Sequence, residues 1–124
     1  MSTTIAKTFK DLLVWQKAHQ MTLWIYTTTN DFPKSELFGL TSQVRRAGVS
    51  VPANIVEGFR RGYPAERIRF YTIADASLEE VKYHFLLAHD LNYIQDKLYG
   101  EFLTISEEVG KLLTGWIRSN KKFL

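Results

Sequence analysis

Cysteine is absent from this 124-residue chain, which excludes disulfides and thiolate metal sites and fits a reducing cytoplasm as the expected location. No apolar run approaches the roughly 20 residues that cross a bilayer, so no membrane span is expected. The first ten residues, MSTTIAKTFK, lack the apolar centre of a signal peptide. No segment alternates polar and apolar residues for long enough to make a convincing strand, which removes a sheet from consideration. What remains is ordinary for a folded protein: 45% apolar residues, 23% charged, and a length suited to one domain over 1–124.

Apolar residues recur at helical spacing in four blocks. Leu12, Trp15, Ala18, Thr22 and Ile25 form the first, with Asp11 placed as its N-cap. Leu37, Leu40, Val44, Ala47, Val51, Ile55 and Phe59 form the second, with Ser35 as cap behind Pro33. Gly62 and Pro64 end that helix, the one as a left-handed cap and the other as a stop. Tyr71, Ala74, Leu78, Val81, Phe85 and Ala88 form the third block, and Leu98, Phe102, Ile105, Val109, Leu112 and Trp116 the fourth. Short connections make consecutive helices antiparallel neighbours, so the spacing predicts an all-α, up-down-up-down four-helix bundle. A second apolar set accompanies the main stripes: Val14, Met21 and Trp24, then Phe70, Ile73 and Leu87, then Leu103, Leu113 and Ile117. It is either a wide core stripe or a subunit interface.

The second helix carries costly residues. Pro52 has no amide hydrogen and crowds the Gly48 carbonyl, which predicts a kink. Ser50 and Asn54 flank it and are expected to bond the freed carbonyls, while Glu57 shares a face with Asn54. Gly58 permits a close backbone approach.

FKDLLVWQKA at 9–18, FPKSELFGLTSQVRRA at 32–47, SVPANIVEG at 50–58 and ASLEE at 76–80 together resemble the proteins encoded in intervening sequences of bacterial 23S ribosomal RNA genes. Val56 and Ala76 stand where that pattern has a smaller alanine and a glycine. The resemblance implies a four-helix bundle, a homopentamer and no established enzymatic activity. A more distant similarity is to pentameric accessory proteins of diversity-generating retroelements, which bind nucleic acid and a reverse transcriptase.

Enzyme motifs are missing. A di-iron bundle uses Glu-x-x-His pairs, whereas Glu80 and His84 are one residue too far apart and no second copy exists. His19, His84 and His89 have no spacing that requires a metal. No histidine follows an arginine at the interval used by helical ribonucleases, and neither Ser50 nor Ser77 has a motif that supplies a base. Catalysis, metal and cofactor are therefore not expected.

Charge is distributed unevenly. Residues 34–69 hold seven Lys/Arg against three acids, 75–108 hold two against eight, and 111–124 hold four against none. Antiparallel folding predicts one basic end with Lys7, Lys10, Arg60, Arg61, Arg67, Arg69, Arg118, Lys121 and Lys122. Capping of helix C-termini accounts for Arg60, Arg61, Arg118, Lys121 and Lys122. It fails for Lys7, Lys10, Arg67 and Arg69, which lie at helix starts. This points to a polyanion surface, RNA or DNA contacted through phosphates, with Tyr63, Phe70 and Tyr71 nearby as stacking or core residues. Arg45 and Arg46 lie elsewhere and are assigned to subunit contacts or to the Glu79–Glu80 pair. The expected function is a non-catalytic homo-oligomeric binding module. The alternative is a protein scaffold or accessory subunit for a polymerase or reverse transcriptase.

Overall fold

The computed structural model describes residues 5–124; residues 1–4, part of the expected 1–124 domain and of the MSTTIAKTFK segment, lie outside the described residues. Four helices build the fold: α1 (Leu13–Thr29), α2 (Leu40–Arg60), α3 (Pro64–Asp90) and α4 (Asp96–Lys121), with no strand among the described residues. Three-residue 3-10 turns, Phe9–Asp11 and Lys34–Glu36, precede α1 and α2. Each helix packs on its sequence neighbours and α4 closes on α1, while the diagonal pairs meet only through core side chains such as Trp24 against Phe85. This is the four-helix bundle that the spacing predicts.

The core follows the predicted stripes on α1, α2 and α3 except at Leu37, which lies ahead of α2 and is exposed, while Trp15 and Phe59 are half-buried. Val14, Met21 and Leu113, placed in the second apolar set, are buried in the same core, so that set is partly a widened core stripe. Ile73 and Leu103 stay exposed. On α4 the buried line is Phe102, Ser106, Val109, Leu113 and Asn120, one step round from the predicted Leu112 and Trp116, which are only half-buried. Full burial contributes about 1.5–3 kcal/mol for each large apolar side chain. Met21, Ile25, Phe85 and Phe102 together therefore outweigh the ~3 kcal/mol helix cost of one proline.

Several helix ends differ from expectation. Asp11 does not cap α1. Its Oδ2 accepts from the Lys7 and Thr8 amides at 2.9 and 3.1 Å, closing the preceding 3-10 turn, and Leu12 takes the cap position without a side-chain bond. Those amides, Thr8 foremost, hold the Asp11 carboxyl below its ordinary pKa. Ser35 does not cap α2 either. It lies inside the Lys34–Glu36 turn, and the Leu40 amide donates instead to Glu36 Oε1 at 3.2 Å. The other oxygen of Glu36 accepts from the Tyr93 hydroxyl at 2.8 Å, tying the start of α2 to the α3–α4 link. Gly62 is not left-handed, since α2 ends in extended backbone at Arg61 and Pro64 opens α3 rather than only stopping α2. The left-handed residue is Asn92, with φ 62°. It forms a Schellman motif in which the Tyr93 amide donates to the Ala88 carbonyl and the Asn92 amide to that of His89.

The α2 helix runs unbroken through Pro52. The carbonyl that Pro52 leaves without a donor belongs to Gly48, and Thr22 Oγ1 of α1 donates to it at 2.9 Å. Ser50 and Asn54 do not take that role. Asn54 Nδ2 donates to the Ser50 carbonyl at 2.8 Å, and Ser50 Oγ meets Ser77 Oγ at 2.8 Å, joining α2 to α3. Both glycines mark close crossings. A Cβ at Gly48 would meet Ile25 Cδ1 at 2.8 Å, and one at Gly58 would meet the Tyr71 ring at 2.5 Å and the Arg67 carbonyl oxygen at 3.1 Å.

Candidate nucleic-acid interface

Antiparallel packing joins the start of α1, the end of α2, the start of α3 and the end of α4. Arg67 fastens three of these. Its Nε donates to Asn120 Oδ1 of α4 at 3.3 Å and its Nη1 to the Arg61 carbonyl, the C-cap of α2, at 3.2 Å. Asn120 is held in turn by its own Nδ2, which donates to the Trp116 carbonyl at 2.8 Å. The fourth element joins through a shallow recess where Leu12, Leu13 and Val14 face Leu112 and Trp116. The expected basic end therefore forms. It holds nine cations, with Asp11, Glu57 and Glu66 as the acids among them.

These cations differ in what they already touch. Arg61 pairs with Glu57 at 3.1 Å and lies over the Phe70 ring, 4.6 Å from its centroid. Arg69 pairs with Glu66 at 3.6 Å and lies over the same ring at 5.0 Å. Exposed pairs of this kind contribute about 0–1 kcal/mol, so they orient the guanidinium groups more than they stabilise the fold. Arg67 is half-buried and engaged, which gives its position at a helix start a structural reason. Lys7, Lys10, Arg60, Arg118, Lys121 and Lys122 are exposed and have no ion pair among the described residues. Arg118 borders the polar stretch of the α3/α4 groove with Asp75, Glu79 and Lys111.

The three aromatics of this end separate clearly. Tyr63 is 76% exposed in the α2–α3 turn, Phe70 is half-buried beneath the two arginines, and Tyr71 is fully buried. Burial pushes the Tyr71 phenol above its ordinary pKa, against the opposite pull of the Trp116 N–H and the Arg67 charge. Neither Tyr71 Oη nor Trp116 Nε1 makes a hydrogen bond of ordinary geometry. Helical periodicity alone does not reveal the Arg61–Phe70–Arg69 arrangement, although the stretch RRGYPAERIRF places arginines on both sides of Tyr63 and immediately before Phe70.

The second arginine pair behaves differently. Arg45 does not reach Glu79 or Glu80. Its Nε donates to Thr29 Oγ1 at 2.8 Å and its Nη2 to Asn30 Oδ1 at 3.1 Å, gripping the C-terminal end of α1. Arg46 is exposed. Glu79 pairs instead with Lys82 at 2.9 Å. Glu57, expected beside Asn54, points to Arg61. His84 is buried with Nδ1 unpartnered and Nε2 3.8 Å from Glu80. Burial lowers its pKa below the ordinary histidine value, and Glu80 partly opposes this. No cluster of three metal-ligating side chains occurs among the described residues. No helix of the described residues is long and apolar enough to cross a membrane.

A family model described as 23S rRNA-intervening sequence protein matches residues 10–115. The chain belongs to this family. Among solved structures, it is similar to a protein of unknown function from the S23 ribosomal protein family of Bacteroides thetaiotaomicron. Identity is 27%, the TM-score is 0.80, and the match covers 88% of this chain and 98% of that one. No curated protein matches the chain. The matched span of the intervening-sequence family includes Arg60, Arg61, Arg67 and Arg69 and stops before Arg118, Lys121 and Lys122.

Proposed function

We propose that this intervening-sequence protein is a non-catalytic, homo-oligomeric binding module that contacts RNA or DNA phosphates through the basic end of its bundle, in the cytoplasm. The observation that carries the reading is the set of six exposed cations without ion pairs, gathered by the topology at one end from both chain extremes and the α2–α3 turn. Phosphate contacts need accessible cations and no base-specific geometry, which suits such a surface. Self-association is supported by apolar surface left on α3 and α4, and the family resemblance adds the pentamer. Tyr83, Leu86 and Leu103 are exposed and line one groove with Tyr99. A ring would repeat the basic end and add weak contacts through multivalency. The same apolar groove favours the second reading, an accessory subunit docked on a polymerase or reverse transcriptase.

Replacing Arg60, Arg118, Lys121 and Lys122 with Gln tests the first reading. Binding to nucleic acid falls broadly across sequences, with assembly unchanged. Light scattering at micromolar concentration reports about five times the 14.4 kDa chain mass. Undiminished binding by the four-Gln variant would refute the basic end as the site. A monomer would refute self-association and leave the apolar groove to another protein.

A further inference from the structure

The α2–α3 turn differs from a simple patch of lysines. Tyr63 presents its ring to solvent at 76% exposure, with the backbone extended at φ −111° and fixed ahead of Pro64. It is flanked in sequence by Arg61 and, beyond Pro64, by Arg69. Each guanidinium lies over Phe70 and is held at its edge by a carboxylate, Glu57 or Glu66. Both arginine side chains remain about half exposed, at 45% and 59%. The turn thus offers an exposed phenol and two oriented planar cations beside flexible point charges.

Flat surfaces of this kind recognise flat ligands. A duplex hides its base faces within its own stack, whereas unpaired nucleotides can lay a base on a tyrosine or a guanidinium plane. Duplex phosphates would need only point charges such as Lys121 and Lys122. From the exposed Tyr63 and the braced Arg61–Phe70–Arg69 group, we infer that the basic end takes single-stranded nucleic acid. Bases stack on Tyr63 and on the guanidinium faces, while Arg60, Lys121 and Lys122 engage the phosphates. This inference rests on the phosphate-binding reading above and adds strandedness to it.

The test is fluorescence anisotropy with one mixed-sequence oligonucleotide of roughly 20 nucleotides, long enough to exceed a single site, offered as a single strand and as a duplex. It compares the parent, Tyr63→Ala, Tyr63→Trp and the four-Gln variant. Tyr63 makes no side-chain capping bond to α3, so its replacement leaves the fold intact, as circular dichroism would verify. The parent binds the single strand at least about ten-fold tighter than the duplex, since each stacked base is worth roughly five-fold to a hundred-fold. Tyr63→Ala loses about five-fold or more on the single strand and nothing on the duplex, and Tyr63→Trp recovers the loss. Equal affinity for both forms, or an equal Tyr63→Ala loss on both, would overturn the inference. If the four-Gln variant then still abolished binding, the phosphate reading would stand. Absence of binding to either form would overturn both.

Discussion

Pro52 and Thr22 should be energetically coupled across the α1–α2 crossing. Pro52 leaves the buried Gly48 carbonyl without its helical donor, and the Thr22 hydroxyl supplies one at 2.9 Å. Thr22→Val keeps the side-chain shape and removes the proton. A buried carbonyl without a partner costs about 1–3 kcal/mol, and that is the expected loss of stability. The hydroxyl also lies 3.0 Å from the Ala18 carbonyl, but Ala18 is helical on both sides and keeps its backbone bond. Pro52→Ala restores an amide at position 52, whose natural acceptor is Gly48. In that background Thr22→Val costs less than about 1 kcal/mol, because the carbonyl is satisfied from within α2. The stability of Pro52→Ala alone does not decide the matter, since gained helix propensity opposes the weaker packing left by removal of a buried ring. The coupling energy does. Urea unfolding of all four proteins, followed by far-UV circular dichroism at one protein concentration, measures it. Additivity within about 0.5 kcal/mol, or a neutral Thr22→Val in the parent, would refute the assignment of Thr22 as the donor.

Gly58→Ala should destabilise by about 1–3 kcal/mol, because its Cβ would press on the Tyr71 ring and the Arg67 carbonyl, whereas Gly115→Ala, with nothing within 4 Å, should stabilise by up to ~1 kcal/mol. Thermal unfolding separates the two, and equal effects would contradict the close α2–α3 crossing. Burial lowers the folded-state pKa of His84, so the unfolded chain binds the proton more readily. The stability it contributes is complete above the ordinary value of about 6.5 and is lost as the pH falls through the lowered folded value. Unfolding free energy measured between pH 8 and pH 5 should decline less in His84→Met than in the parent. Identical profiles would show that His84 is free to protonate in the folded chain.

Much of the fold was legible because every helix carries an apolar stripe at helical spacing. On α4 the pattern is doubled: Leu112 and Leu113, then Trp116 and Ile117, offer two stripes one residue apart, and periodicity cannot choose between them. Packing against α3 chooses Leu113, and it buries the polar Ser106 and Asn120 on the same line. Helix starts depart from the cap pattern where a residue of good cap chemistry lies in a preceding 3-10 turn, as Asp11 and Ser35 do. Glycine adopts the left-handed backbone at least cost, which favours Gly62 as the cap from sequence, yet Asn92 tolerates that backbone too. Clustering of the basic residues followed from topology alone. Which of them stay accessible did not, because Arg67 is consumed by Asn120 and by a carbonyl of another helix, partners that only the packed bundle supplies.

The salt dependence of nucleic-acid binding tests the central claim most directly. If the basic end holds phosphates, the logarithm of affinity falls linearly with the logarithm of salt, by about 0.7–0.9 for each phosphate engaged. Replacing Arg60, Arg118, Lys121 and Lys122 with Gln should then flatten the slope by about that amount for every phosphate no longer neutralised. A parent whose affinity is insensitive to salt, or a four-Gln variant with the parental slope, would contradict the account.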